Sequence, residues 1–179
     1  MIYILLGEGF EEVEAIAPVD VLRRCGAEVR TAGIGGLEVT GAHGITVRAD
    51  CGVEDIDRAA LDMIVIPGGL GGVASINGSR AALAAIENAW ADGKYVAAIC
   101  AGPTVLAGLH ISDGRKVTSY PGTGSQMGTA DYREDDVVVD GKLITSRGPG
   151  TALAFARKLA ETVCGETTAK QVADGMLIK

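Results

Sequence analysis

Cys100 is the residue in this chain whose surroundings best suit it to chemistry. It stands directly after the apolar run Val96-Ala-Ala-Ile99 and directly before Ala101-Gly102-Pro103, at a sharp strand-to-helix turn. Small neighbours let a side chain project from a tight and strained turn, which is the arrangement of a nucleophile elbow. The helix that follows points its N-terminus at the sulfur and favours thiolate over thiol. Cys25, Cys51 and Cys164 lack such surroundings and read as small buried hydrophobes. With no CxxC spacing and only two histidines, the sequence points to neither a metal site nor a disulfide framework.

A thiol nucleophile usually works with a base. His43 falls in a hairpin region and His110 near the far end of a short helix, so neither is placed to pair with Cys100. An acid is the better partner, and the turn after the first strand offers Glu8, Glu11, Glu12 and Glu14. An ionised carboxylate beside a thiolate raises both pKa values, whereas a buried, protonated glutamic acid donates a hydrogen bond to the thiolate and stabilises it. Glu11 and Glu12 suit the N-terminal dipole of a helix. Glu14, between Val13, Ala15 and Ile16, lies on that helix's more apolar side. Gly68-Gly69 offers backbone N–H donors for an oxyanion.

Two other patterns carry less. Gly69-Leu-Gly71-Gly-Val-Ala74 fits GxGxxA, but the next strand ends at Ile99-Cys100 without the carboxylate a dinucleotide site needs. No GxxxxGK[ST] is present, so ATP-driven phosphoryl transfer has no support.

These residues must be positioned by alternating strands and helices. Strands are predicted at 2–6, 28–32, 63–66, 95–99 and 116–119, with helices at 11–25, 79–91, 102–109, 151–163 and 166–176. Two hairpins are predicted, one joining 37–40 to 45–48 and one joining 137–139 to 143–146 across Asp140-Gly141. The alternation belongs to βαβ units and a mostly parallel sheet. Gly- and Pro-rich turns follow the strands at Gly7-Glu8-Gly9, Pro67-Gly68-Gly69, Pro121-Gly122 and Gly148-Pro149-Gly150. In a parallel sheet such turns converge on the crevice outside the carboxyl ends, where open α/β sheets bind ligands.

Composition narrows the function classes. The 179 residues suit one domain, and a net charge of −7 without a basic cluster argues against nucleic-acid binding. No run reaches the roughly 18–20 apolar residues of a membrane helix, and Ile2 to Leu6 lacks the basic flank of a signal peptide. The expectation is a soluble, cytoplasmic protein.

Five segments in order resemble the ThiJ/PfpI superfamily: Gly9-Phe-Glu-Glu-Val-Glu14, Pro18-Val-Asp-Val-Leu-Arg-Arg24, Ile66-Pro-Gly-Gly69, Ala97-Ala-Ile-Cys-Ala-Gly-Pro103 and Thr145-Ser-Arg-Gly-Pro-Gly-Thr151. Within that superfamily the chain is most similar to the DJ-one-like group. The resemblance implies a single domain over 1–179, related to class I glutamine amidotransferases, with a flavodoxin-like three-layer α/β sandwich and a homodimer. It implies Cys100 as nucleophile, Glu14 as its protonated partner, and the Gly69 and Ala101 amides as oxyanion site. It further implies a cofactor-independent glyoxalase or protein deglycase acting on methylglyoxal, related 2-oxoaldehydes and their adducts. The alternatives it carries are an oxidative-stress sensor acting through Cys100, or a stress chaperone.

Three positions depart from the family pattern. Tyr120 replaces a histidine and becomes a candidate substrate contact. His43 replaces an anion-binding arginine, leaving Arg24 and Arg147 as further candidate anion contacts. Ala101 stands where the protease-like branch carries histidine, which argues against peptidase activity.

Overall fold

The strand β1 (Ile2–Leu6) is buried along its whole length, and its residues alternate between two cores. Ile2, Ile4 and Leu6 face one side of the sheet, Tyr3 and Leu5 the other, as the two-residue period of a strand requires. The computed structural model describes residues 1–178 and continues from β1 through α1 (Glu12–Arg24), β2 (Val29–Gly33), β3 (Glu38–Thr40), β4 (Thr46–Arg48) and β5 (Cys51–Gly52). Next come β6 (Met63–Ile66), α2 (Leu70–Gly78), α3 (Arg80–Ala91), β7 (Tyr95–Ile99), α4 (Pro103–Gly108), β8 (Lys116–Val117) and β9 (Asp131–Tyr132). The chain finishes with β10 (Val137–Asp140), β11 (Leu143–Ser146), α5 (Ala152–Cys164) and α6 (Glu166–Met176).

Seven strands form the main sheet in the order β10-β11-β7-β6-β1-β2-β5. All neighbours are parallel except the β10–β11 edge hairpin, whose turn uses the left-handed Gly141 at φ 61°. Helices α1, α5 and α6 cover one face, with Phe155, Leu159 and Leu22 in that core. On the other face lie α2, α3 and α4, contributing Ile76, Ile86 and Leu106. The result is the predicted α/β sandwich of three layers with a mostly parallel sheet. Among the described residues no helix is long and apolar enough to cross a membrane.

Two regions differ from the sequence expectation. Helix α2, where the sequence predicts none, opens on the run Gly69-Leu-Gly71-Gly72. Those glycines are required by the neighbouring turn: a Cβ on Gly72 would lie 2.8 Å from Phe10 Cα, and one on Gly71 2.9 Å from the Glu8 carbonyl oxygen. Close packing of α2 on the β1–α1 turn thus overrides the low helix propensity of glycine. The strand expected at 116–119 stops at Val117 and pairs with β9 in a separate two-stranded sheet. Beyond it, the Thr118 N–H donates to Thr145 Oγ1 at 2.9 Å, and the Tyr120 N–H to the Cys100 carbonyl at 2.9 Å. The backbone is diverted to support the Cys100 turn.

Candidate functional site

In the sheet, β6 lies between β1 and β7. Gly68 and Gly69, just beyond the end of β6, therefore sit between the turn leading to Glu14 and the turn carrying Cys100. Cys100 takes the left-handed conformation, φ 64°, which a non-glycine residue adopts only when its surroundings hold it there. Its N–H donates to the Ser146 carbonyl at 3.0 Å, and its own carbonyl accepts from Tyr120. Two neighbouring segments thus clamp the strained residue, as a nucleophile elbow requires.

Glu14 is fully buried in the first turns of α1. The Gly68 N–H donates to its Oε2 at 2.8 Å, and its Oε1 is buried without a conventional partner. A Cβ added to Gly68 would lie 2.6 Å from Glu14 Oε2 and 3.0 Å from Cys100 Sγ, so the acid and the thiol converge on the space only a glycine leaves open. Gly69 is left-handed at φ 84°, and a Cβ there would lie 2.4 Å from the Gly9 carbonyl oxygen.

Burial pushes the Glu14 carboxyl up to about 7, against the pull of the Gly68 amide. Burial also pushes the Cys100 thiol up, to about 12 with an ionised Glu14 beside it, while the amides of Ala101 and Gly69 pull it down. The dipole of the following helix favours thiolate over thiol, and burial opposes it. Helix α4 has only six residues, and the sulfur belongs to a residue 9% exposed, so desolvation outweighs the dipole. Two anions held this close are disfavoured, so the pair keeps at least one proton at neutral pH. With that proton on Glu14, repulsion gives way to donation toward sulfur, and the Ala101 and Gly69 amides solvate the thiolate.

The pair opens onto a cavity of about 570 Å³ lined by Cys100, Ala101, Gly69, Tyr120, His43 and Glu11 among others. The half-exposed Tyr120 ring also stands against Gly148. His43 is exposed at the rim, and its Nδ1 and backbone N–H bind the Glu12 carboxylate at 2.8 and 2.7 Å. That hydrogen bond, with the charges of Glu11 and Glu12, raises the His43 pKa. Glu11, Glu12 and His43 bring three possible ligand atoms within 4.8 Å of one another, but Glu12 and His43 already satisfy each other.

Neither arginine lines this cavity. Arg24 lies ten residues along α1 from Glu14, about 15 Å at 1.5 Å per residue, and pairs with Asp20 at 2.8 Å. Arg147 Nη1 donates to the Glu134 carbonyl at 3.0 Å, and its Nε is buried without a partner. Sequence reasoning named both as anion contacts because His43 stands where the family carries an arginine, but α1 carries Arg24 to the opposite pole and the Glu134 loop engages Arg147. Leu70, Ala42 and Thr123, which sequence reasoning missed, also line the cavity. No local pattern distinguishes these three from ordinary loop residues.

A family model described as the DJ-1/PfpI family matches residues 1–162. Protein dj-1beta of Drosophila melanogaster is 40% identical over 98% of this chain and 95% of its own. Its crystal structure has a TM-score of 0.95, covering 99% and 97% of the two chains at 39% identity. A Pyrococcus abyssi protein named a deglycase is 35% identical over 89% of this chain and 97% of its own. A structure described as oxidised Toxoplasma gondii DJ-1 has a TM-score of 0.94 at 35% identity, covering 98% and 97% of the two chains.

Proposed function

Because the chain belongs to the DJ-1/PfpI family, we propose that it is a cofactor-independent, cysteine-dependent enzyme converting methylglyoxal and related 2-oxoaldehydes, or their early adducts, to 2-hydroxy acids. The observation that carries this reading is the convergence of the buried Glu14 carboxyl and the Cys100 thiol on Gly68, at the floor of an open cavity. The similarity to a protein named a deglycase supports the substrate class.

In this reading the Cys100 sulfur adds to the aldehyde carbon, and the oxygen that gains charge meets the Gly69 and Ala101 amides. Glu14 protonates that oxygen, giving a hemithioacetal. The same carboxylate then takes the proton from the former aldehyde carbon and returns it to the adjacent carbon, through an enediol, leaving a thioester. Water hydrolyses the thioester, releasing the hydroxy acid and the thiol. One carbon is oxidised as its neighbour is reduced, so the sequence of steps balances without a redox cofactor. Tyr120 and His43, which both line the cavity, orient the substrate's second carbonyl. D-Lactate formed from methylglyoxal by the intact chain, with no added thiol, is the test, and its absence at every substrate concentration overturns the proposal.

A second reading, redox sensing through Cys100, draws on the relative whose structure is described as oxidised. The donors that would meet an oxyanion would equally meet a sulfinate oxygen.

We further propose a homodimer through the face formed by α1, the β3–β4 hairpin and α5. Val13, Ile16, Ile45 and Leu153 are all exposed there around one shallow apolar depression, the kind of patch that marks an interface. Ile16→Arg is expected to weaken dimerisation at least about 30-fold. Sedimentation equilibrium reads this directly, and a wild-type chain that stays monomeric at high concentration removes the dimer.

A further inference from the structure

The pole of the molecule opposite the Cys100 cavity carries a second pair of thiols. Helices α1 and α5 follow parallel strands and pack side by side on one face, sharing a core that contains Val21, Leu22, Leu159 and Ala160. Their C-terminal ends are consequently neighbours. Cys25 closes α1 and Cys164 is the last residue of α5. Both are half-buried, and both line a cavity of about 410 Å³ together with Met1, Ile2, Gly26 and Val163. The sequence reads each as a small buried hydrophobe, and 139 positions separate them in the chain. In the fold both line the same cavity, at the adjoining ends of two helices that pack together.

Two backbone features leave this pair free to adjust. Each cysteine is followed by a glycine in the left-handed region, Gly26 at φ 80° and Gly165 at φ 85°, with open space around both. Neither cysteine lies in a helix interior. Side-chain rotation at two helix ends lets two thiols that share a cavity approach each other more readily than rotation inside a helix would.

We propose that Cys25 and Cys164 form a reversible intrachain disulfide, made by exchange with an oxidised small thiol such as glutathione disulfide, which ties the end of α1 to the end of α5. Cys164 attacks first, since burial raises both thiols and the neighbouring Cys25 offsets part of that rise for Cys164. Its thiolate, having lost a proton to water, bonds to one glutathione sulfur and expels the other as a thiolate. The Cys25 thiolate then attacks the Cys164 sulfur of the mixed disulfide and expels the second glutathione. The two protein thiols together give up two electrons and two protons, and one glutathione disulfide takes them up to become two thiols. The cross-link closes most of the chain into one loop and constrains the unfolded state. The Cys100 cavity, at the other pole, is left as it was.

The test equilibrates the intact chain in glutathione buffers of increasing oxidised fraction, quenches in acid, blocks free thiols and digests without reduction. A Cys25–Cys164 linked peptide is expected to rise from absent to dominant through a single midpoint, with two of the four cysteines lost to alkylation. The oxidised wild-type chain should gain at least about 5 °C in Tm, a gain missing from both Cys25→Ser and Cys164→Ser. Four thiols that stay alkylatable, glutathione adducts without the linked peptide, or a linkage that leaves Tm unmoved would each overturn the proposal.

Discussion

Cys100→Ser lowers D-lactate formation from methylglyoxal by on the order of 10³-fold or more while the chain stays folded. Serine is smaller than cysteine and meets no new contact in a turn already clamped by Ser146 and Tyr120, and the left-handed φ costs both residues alike. The difference is chemical. A thiol can surrender its proton within a pair that shares one with Glu14, and a hydroxyl at the same place cannot. The measurement is single-turnover and steady-state D-lactate release beside a thermal melt. Turnover within tenfold of wild type in a folded variant would remove Cys100 from the reaction. The same variant addresses the sensing reading: mild peroxide should add two oxygens to wild type at Cys100 alone and none to the variant at that position. Equal oxidation of all four cysteines would remove sensing.

Glu14→Gln is expected to lower turnover by about 10²- to 10⁴-fold and, unusually for a site variant, to raise stability at neutral pH. Gln preserves the volume and can still accept the Gly68 N–H, but it cannot take the proton from one carbon and return it to the next. The stability effect follows from the carboxyl pKa, about 7 in the fold against 4.5 for the same group in the unfolded chain. As pH rises past 4.5 the unfolded chain loses this proton first, so the native chain loses stability progressively until about pH 7 and little more beyond. The loss is on the order of 3 kcal/mol. Gln carries no such penalty, so the variant's advantage should be absent near pH 4 and full near pH 8, as read by urea unfolding at the two pH values. An active Gln variant removes the proton-shuttling role, and a variant less stable than wild type near pH 8 removes the assignment of a buried, proton-retaining carboxyl.

The boundaries of β6 and β7 were legible to the residue, because fully buried parallel strands are continuous apolar runs and each meets glycine, proline or cysteine at its end. Helix α2 was not legible, because its glycines answer to Phe10 and Glu8, residues distant in sequence. Cys100 stood out through its immediate neighbours. Glu14 stood out only as the one apolar-side acid among four, and its reach to Gly68 depends on β6 lying between β1 and β7.

The sequence by itself determined the alternation of strands and helices, the elbow at Cys100 and the family, since each is written in local periodicity or in short ordered motifs. Only the tertiary structure decided which charges meet. It buried Cys100 and Glu14 together, setting desolvation against the helix dipole that favours thiolate, and it carried Arg24 away to the far pole. It also brought Cys25 beside Cys164. Desolvation and proximity depend on which elements pack together, and no local window of sequence contains that information.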